Sequence, residues 1–175
     1  MNKKIKLSNF TIENNSDRLT LISGPCLLES DKMVYKVATK LSSLSKKYKF
    51  NLIFKCSFDK ANRTSHSSLR SKMSFNAAMD VLKSIKKDFK LSVTTDVHET
   101  SQISKLIEYI DVIQIPAFLS RQTDLIIAAA DTHKIVNVKK GQFLSHSEVL
   151  NIIKKIESRN NKKILIYASQ TMKEK

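Results

Sequence analysis

The chain has 175 residues, 41% of them hydrophobic, which suits one globular domain with a buried core. Its formal charge of +15 comes mostly from lysines spread along the chain without an RNA-binding motif, so we expect no nucleic-acid partner. Two cysteines cannot build a disulfide framework and no apolar run reaches the roughly 20 residues of a membrane-spanning helix, which predicts a cytoplasmic protein with no membrane partner.

A small hairpin pattern comes first, and strand and helix patterns then alternate. Ile5–Ile12 and the polar residues 13–16 predict a hairpin within residues 1–18. Six short segments rich in apolar and β-branched residues then predict buried parallel strands. These strands are Leu19–Ser23, Asn51–Ser57, Leu91–Asp96, Val112–Pro116, Ile135–Lys139 and Lys163–Tyr167.

Between these strands the apolar residues recur with a helical period. Met33, Val37 and Leu41 begin one such stripe, and four further segments show the same spacing. A serine or threonine stands before each helix, where an N-cap is needed. The predicted caps are Ser30, Ser74, Thr100, Ser120 and Ser145, and Ser145 also has capping-box spacing to Glu148.

Five strand–helix repeats followed by a sixth strand predict a parallel sheet with right-handed crossovers. A doubly wound sheet and a (β/α)8 barrel both fit, and polar residues at the carboxyl ends of several strands favour the barrel. A whole (β/α)8 barrel typically takes about 250 residues. We therefore expect an α/β fold, a partial TIM barrel forming a single truncated domain over residues 1–175, with a hairpin at 1–18, βα units at 19–167 and a divergent tail at 168–175.

The end of the second strand carries the strongest chemical pattern. Side chains alternate along a strand, so Lys55 and Ser57 face one way and Cys56 the other. Lys60 and Arg63 follow in the loop. A solvated basic loop is one interpretation, but an inward lysine on an apolar strand is costly without an anion. The pattern therefore favours a phosphate-binding site.

Other strand ends repeat this pattern more weakly. Asn137 and Lys139 share a face at the end of the fifth strand, where Lys139 either binds an anion or extends to the solvent at the rim. Asp96 ends the third strand and Gln114 the fourth. Cys26 follows the first strand, where it is either a small buried residue or a soft metal ligand.

Together these segments resemble the 3-deoxy-D-manno-octulosonate 8-phosphate synthase family, also called 2-dehydro-3-deoxyphosphooctonate aldolases. The Lys-Ala-Asn-Arg run at Lys60–Arg63 separates this family from its relative that makes the seven-carbon shikimate precursor. The other segments stand in the family's order and spacing. They are Gly24–Cys26 with Glu29–Ser30, Phe54–Lys55, Thr95–Glu99, Gln114–Leu119 with Arg121–Leu125, and Asn137–Phe143.

The resemblance implies a (β/α)8 barrel, a homotetramer, and the condensation of phosphoenolpyruvate with D-arabinose 5-phosphate for lipopolysaccharide core biosynthesis. It implies catalytic roles for Lys55, Lys60 and Lys139, which with Ser57 would hold phosphoenolpyruvate. It also implies a set of residues that bind the sugar phosphate or line the pocket, with Arg121 reaching across a subunit interface. This set is Asn62, Arg63, Thr64, Asp96, Gln114, Arg121 and Asn137.

A cysteine at position 26 resembles the metal-dependent branch of that family, which implies a divalent metal whose other family ligands are absent from this chain. Ala168, Ser169 and Gln170 stand where family members have an acidic residue, arginine and glycine. These departures leave an alternative open. The chain would then be a catalytically inactive truncated remnant that still binds phosphorylated ligands or other subunits.

Overall fold

The structure, a computed structural model, describes residues 4–61, 70 and 72–168. The chain divides into two compact units by its internal contacts. The first comprises Met1–Asp96 with Glu108–Asp111, and the second comprises Val97–Ile107 with Val112–Lys175. In each unit, parallel strands alternate with helices along the chain.

The first unit begins with an antiparallel hairpin, β1 (Lys4–Lys6) and β2 (Thr11–Glu13). Three parallel strands follow and pair in chain order, with Leu21 beside Leu52 and Phe54 beside Val93. Helices connect them. The elements are β3 (Thr20–Ser23), α1 (Asp31–Tyr48), β4 (Asn51–Lys55), α2 (Phe75–Phe89) and β5 (Ser92–Asp96).

The second unit repeats the pattern. Its strands β6, β7 and β8 pair in parallel, so that Gln114 lies beside Asn137 and Lys139 beside Tyr167. A short 3-10 turn at Ala117–Leu119 follows β6. The elements are α3 (Thr100–Leu106), β6 (Val112–Ile115), α4 (Thr123–Asp131), β7 (Ile135–Lys140), α5 (Glu148–Glu157) and β8 (Ile164–Ala168).

This arrangement confirms the predicted α/β fold class: repeated βα units with parallel strands, preceded by a small hairpin, as in a partial (β/α)8 barrel. The predicted strands differ from the observed ones by one or two residues at their ends. Residues 169–175, including Ser169 and Gln170, lie outside the described residues. No helix of the described part of the chain is long and apolar enough to span a bilayer.

Of the five predicted N-caps, two are confirmed and three are wrong. Ser30 and Ser74 cap α1 and α2, each accepting a backbone N–H three residues on. The cap of α3 is Glu99 rather than Thr100, because the Gln102 side chain turns back to accept the backbone N–H of Glu99. Ser120 instead donates its hydroxyl to the carbonyl of Ala117 and closes the 3-10 turn.

The reciprocal bonds of the predicted Ser145–Glu148 pair are present, but the N-cap of α5 is Ser147 rather than Ser145, because the helix begins only at Glu148. The Ser145 N–H donates to the Glu148 carboxylate at 2.7 Å, and the Glu148 N–H donates back to Ser145 Oγ at 3.2 Å. These bonds from Ser145, of which the backbone one has the larger effect, lower the pKa of Glu148. The pair fixes the chain that leads from β7 into α5.

Each unit has an apolar core between its strands and helices. In the first, Phe54 of β4 is fully buried with Met79, Leu82 and Ile85 of α2. In the second, Ile113, Ile126, Val136 and Ile156 are fully buried. Removing one such side chain from water contributes roughly 1.5–3 kcal/mol, so these cores fix the frame on which the polar strand ends are held.

The two cysteines differ in accessibility, which yields a test of the first unit. Burial raises the pKa of the Cys56 thiol to about 12 despite the lowering effect of Lys55 and Lys60, whereas Cys26 is exposed. Because the thiolate is the reactive form, we expect Cys56 to stay inert at neutral pH. Titration of the native protein with a colorimetric disulfide reagent should count one thiol, and titration of the denatured protein should count two.

The Cys26→Ser variant is the control for this measurement and should show no rapidly reacting thiol. A native protein in which both thiols react at similar rates would contradict the burial of Cys56, and with it the position of β4 in the first unit.

Candidate functional site

The polar end of β4 converges on a single carboxylate oxygen. Asp96 Oδ2 accepts hydrogen bonds from Lys55 Nζ at 3.0 Å, from the Ser57 hydroxyl at 2.5 Å and from Lys60 Nζ at 3.3 Å. Lys55 Nζ also lies 2.9 Å from the Ser57 hydroxyl. We call Lys55, Ser57, Lys60 and Asp96 the β4–β5 cluster. Alternation along β4 predicted the shared face of Lys55 and Ser57, and both side chains meet Asp96.

Charge and burial make this cluster a strong electrostatic site. Burial alone would raise the pKa of Asp96. The Lys55 ammonium, the Ser57 hydroxyl and the Lys60 ammonium together lower it by more, so that the pKa is about 2. The carboxylate is only 5% exposed, so its charge acts in a poorly solvated environment. Two ammonium groups against one carboxylate leave the cluster with a net positive charge at neutral pH. It is therefore able to attract an anion.

Backbone contacts hold Ser57 after β4 has formally ended. The Leu28 N–H donates to the Ser57 carbonyl at 2.9 Å, and Leu27 forms a parallel bridge with Ser57. On the other side, the Cys56 N–H donates to the Thr94 carbonyl at 3.2 Å. The segment is thus paired on both sides, which fixes the direction of the Ser57 side chain.

Gly24 allows the close approach of β3 to this segment. A Cβ atom at position 24 would lie 2.0 Å from the carbonyl oxygen of Lys55, closer than any real contact. The backbone of Lys55 cannot move away without disturbing its side chain. The glycine before Cys26 therefore serves the geometry of the β4–β5 cluster.

An ion pair joins the two ends of the segment that carries the predicted sugar-phosphate residues. Arg70 Nη2 lies 2.6 Å from Asp59 Oδ2, and Arg70 Nε donates to Asp59 Oδ1 at 3.1 Å. The Lys60 N–H also donates to the Arg70 carbonyl at 2.9 Å. Of the predicted site residues, three lie outside the described residues between these anchors. They are Asn62, Arg63 and Thr64.

In the second unit, Gln114 and Asn137 form a buried amide pair. Asn137 Nδ2 donates to Gln114 Oε1 at 3.1 Å, as their side-by-side positions on β6 and β7 allow. Asn137 is 1% exposed, and its Oδ1 has no hydrogen-bond partner among the described residues. A buried acceptor of this kind is costly unless a donor reaches it. The atom is thus suited to accept a hydroxyl or a water molecule.

Lys139 leaves the end of β7 and lies over an aromatic ring. Its Nζ is 5.8 Å from the centroid of the Tyr167 ring, which belongs to the neighbouring residue on β8. A cation–π contact of this length holds an ammonium group without neutralising its charge. The adjacent Lys140 donates instead to the carbonyls of Gly141 and Leu144. Both lysines keep their charge, but backbone carbonyls accept the N–H groups of Lys140, whereas Lys139 is held over a ring.

Arg121 lies exposed in the turn before α4. Its carbonyl accepts a hydrogen bond from Lys155 at 3.4 Å, and Lys155 also donates to Thr123 at 2.7 Å. These contacts fix the backbone of the turn. The structure thus places the Arg121 guanidinium at the surface of the second unit.

The described residues do not fit a metal ion. Among them, no group of three or more histidine, cysteine, aspartate or glutamate side chains is arranged to hold one. Cys26 is exposed, while Asp96 is engaged with two lysines and a serine. These residues do not form the donor set that zinc or a similar ion requires.

Sequence reasoning missed two features of the site. The Asp59–Arg70 pair joins residues eleven positions apart, and their order carries no periodic pattern. Tyr167 has the sequence pattern of an ordinary strand residue, and only the β7–β8 register places it beneath Lys139. An inward lysine followed on the next strand by an aromatic residue is the pattern that would have indicated this contact.

The salt-linked carboxylate gives the site a pH signature. Because the folded-state pKa of Asp96 is depressed to about 2 from an ordinary 3.8, its contribution is complete above about pH 4 and is lost as the pH falls toward 2. The loss amounts to about 2 kcal/mol of the free energy of unfolding. Denaturant unfolding at a series of pH values should show that the free energy of unfolding falls less steeply below about pH 4 in Asp96→Asn than in the wild type.

The matched control is Asp80→Asn, which removes an exposed carboxylate from α2. In this variant the free energy of unfolding should fall with acid as steeply as in the wild type. If it also fell as steeply in Asp96→Asn, the carboxylate would not be held by Lys55 and Lys60 in solution.

Comparison with known proteins places these residues in a family context. The model of the DAHP synthetase I family matches residues 3–171. The 2-dehydro-3-deoxyphosphooctonate aldolase of Mesorhizobium japonicum is 43% identical over 164 residues, which are 94% of this chain and 58% of that protein. The protein of the same name from Rhodopseudomonas palustris strain BisB5 is 46% identical over 152 residues, 87% of this chain and 53% of that protein.

A third relative with the same name, from Brucella anthropi, is 42% identical over 164 residues, which are 94% of this chain and 58% of that protein. The chain thus spans a little over half the length of these curated relatives. Since the family model covers residues 3–171, nearly the whole sequence, the chain belongs to the DAHP synthetase I family.

Proposed function

We propose that the chain acts as a 3-deoxy-8-phosphooctulonate synthase, the activity that its relatives' name, 2-dehydro-3-deoxyphosphooctonate aldolase, denotes. The observation that carries this proposal is the β4–β5 cluster. Two lysines and a serine gathered at one strand end form a site for an anion, and both substrates of this reaction are phosphate esters. The product would serve lipopolysaccharide core biosynthesis.

The reaction joins phosphoenolpyruvate to D-arabinose 5-phosphate. The methylene carbon C3 of phosphoenolpyruvate forms a bond with the aldehyde carbon of the sugar, and the aldehyde oxygen takes a proton. Water adds its oxygen to C2 and gives up its two protons, one to the former aldehyde oxygen and one to the phosphate. The bond between C2 and the phosphate oxygen breaks, inorganic phosphate leaves and C2 becomes a carbonyl. Negative charge accumulates on the departing phosphate, which fixed ammonium groups stabilise.

Lys55 and Lys60 are the groups that would hold phosphoenolpyruvate in the first unit, with Ser57 donating its hydroxyl. The family resemblance also assigns Lys139, whose ammonium lies over Tyr167, to phosphoenolpyruvate binding. Both Lys55 and Lys60 are bound to Asp96 before substrate arrives. Substrate oxygens therefore replace the carboxylate as their partners, and Asp96 becomes free to accept hydroxyls of the sugar.

The sugar phosphate is assigned to Asn62, Arg63 and Thr64, which follow Lys60 in the segment anchored by Asp59 and Arg70. Arg121, exposed on the second unit, would reach the sugar phosphate of a neighbouring subunit in a homo-oligomer. Gln114 and Asn137 would line the pocket, with the unpartnered Asn137 Oδ1 accepting a substrate hydroxyl.

A second candidate function is binding of phosphorylated ligands without turnover. It is favoured by the β4–β5 cluster, which one unit builds by itself, and by the unsuitability of the described residues for a metal. The divalent metal predicted from Cys26 stays a prediction, as do the cytoplasmic location and the absence of a nucleic-acid partner.

Turnover distinguishes the two candidates. The purified chain is mixed with phosphoenolpyruvate and arabinose 5-phosphate, with and without added divalent metal, and released phosphate is measured. The proposed activity requires release only when both substrates are present. Calorimetric binding of phosphoenolpyruvate with no release under any condition would favour the binding function, and neither binding nor release would exclude both.

Lys60→Gln should weaken phosphoenolpyruvate binding by roughly 10- to 100-fold, since a hydrogen bond to a charged group contributes about 1.5–3 kcal/mol. Isothermal titration calorimetry measures the change. Lys83→Gln removes the same charge from the exposed face of α2 and should leave the affinity within about twofold of the wild type. Equal losses in both variants would mean that only the net charge matters.

Asp96→Asn should have opposite effects on binding and turnover. Removing the carboxylate that competes for both lysines should tighten phosphoenolpyruvate binding by about tenfold, a fraction of the Coulomb energy of such a contact. Phosphate release should fall, because the sugar hydroxyls lose their acceptor. An unchanged affinity measured by calorimetry would show that Asp96 does not compete with the substrate.

A further inference from the structure

A cavity opens in the first unit at the end of β4 opposite the β4–β5 cluster. It encloses about 350 Å³, within the size range of small-ligand pockets. Asn51 and Leu52, the first residues of β4, line it, whereas Lys55 of the β4–β5 cluster stands at the other end of the strand. Four residue steps along a strand are about 13 Å, so one small ligand cannot occupy both places.

The rim of this basal cavity is cationic. Arg18, Lys46 and Lys49 contribute its charged side chains, and none of the ten lining residues is acidic. No ion pair joins any of these three side chains to another described residue. The carbonyl end of α1 also lies here and carries about half a negative charge. Three positive charges exceed it, so the rim attracts an anion.

Lys49 holds its position in the rim by an unusual backbone conformation. It is the C-cap of α1 with φ 55°, in the left-handed region, and its N–H donates to the Ser45 carbonyl. Glycine or asparagine adopts this conformation with less strain than lysine. Lysine at this position therefore lowers the stability of the fold slightly. A substitution that removes its charge can be tested for an effect on binding without a loss of stability.

The floor of the cavity is apolar. Phe10 and Phe50 are half-buried, and Leu52 and Leu91 are buried. The polar groups that line it already have protein partners. Asn9 bonds to the Lys90 carbonyl and to Ser92, Ser45 donates to the Phe50 carbonyl, and Asn51 donates to Thr20.

We propose that this basal cavity binds a small organic anion whose charged head meets Arg18, Lys46 and Lys49 and whose planar apolar body lies on Phe10 and Phe50. The cations select the charge and the floor selects the body. An inorganic anion would meet the cations but not the phenylalanine rings, and an uncharged ring would meet the rings but not the cations. Neither would gain both contacts. The site is independent of the function proposed for the β4–β5 cluster.

Phenyl phosphate is the probe, followed by isothermal titration calorimetry on the full chain. We expect it to bind at least about tenfold more tightly than inorganic phosphate, and phenol to give no measurable binding at the same concentration. Lys46→Gln should weaken phenyl phosphate binding about tenfold. Lys47→Gln removes the same charge from the next residue, which does not line the cavity, and should change the affinity less than twofold.

Two further variants distinguish binding in the basal cavity from binding at the β4–β5 cluster. Lys49→Asn should weaken binding about tenfold while leaving the thermal midpoint equal or higher, because asparagine tolerates the left-handed conformation. Because the β4–β5 cluster is itself proposed to bind phosphate esters, the probe is also titrated in Lys60→Gln, where binding that depends on Lys46 should remain. Loss of binding in Lys60→Gln would place the probe in the β4–β5 cluster, and equal losses in Lys46→Gln and Lys47→Gln would reduce the effect to net charge. Either result would overturn the proposal.

Discussion

One carboxylate oxygen organises the chemistry of the first unit. Asp96 Oδ2 holds the ammonium groups of Lys55 and Lys60 and the hydroxyl of Ser57 at the ends of β4 and β5. Two half-buried ammonium groups without a partner would repel each other and lose part of their hydration. The carboxylate compensates both, so the cationic cluster can exist in the folded chain without a bound anion.

The rest of the first unit keeps this contact in place. Gly24 lets β3 approach the backbone of Lys55, the bridge between Leu27 and Ser57 extends the pairing past the strand, and Arg70 ties down Asp59 next to Lys60. Each of these is a backbone or ion-pair contact outside the apolar core. The core sets where β4 and β5 lie, and these contacts set where their side chains point.

Sequence reasoning predicted those parts of the structure that depend on local pattern. The six strands, the hairpin and the caps at Ser30 and Ser74 all follow from periodicity or from a single residue beside a helix. The shared face of Lys55 and Ser57 follows from alternation. Ser120 is not a helix cap because it closes a 3-10 turn that the apolar pattern does not reveal, and α4 begins only at Thr123, with Gln122 as its cap.

The contacts that pattern could not predict join residues distant in sequence. Asp96 meets Lys55 across 41 positions, and Tyr167 reaches Lys139 only through the β7–β8 register. The basal cavity draws on residues from Asn9 to Leu91, and in the sequence its cations resemble the rest of a uniformly basic surface. A side chain's charge is visible in the sequence, but which charges share a cavity depends on the whole fold.

The bond between Asp96 and the two lysines also bears on selectivity among anions. The cluster contains its own counterion, attached to the chain and therefore present at an effective concentration that no dissolved salt matches. Chloride or a simple carboxylate offers one charge in exchange for the one it displaces and so gains little. A dianionic phosphate ester brings more charge and several acceptor oxygens, so under the proposed function it would displace the carboxylate more readily than a monovalent ion would.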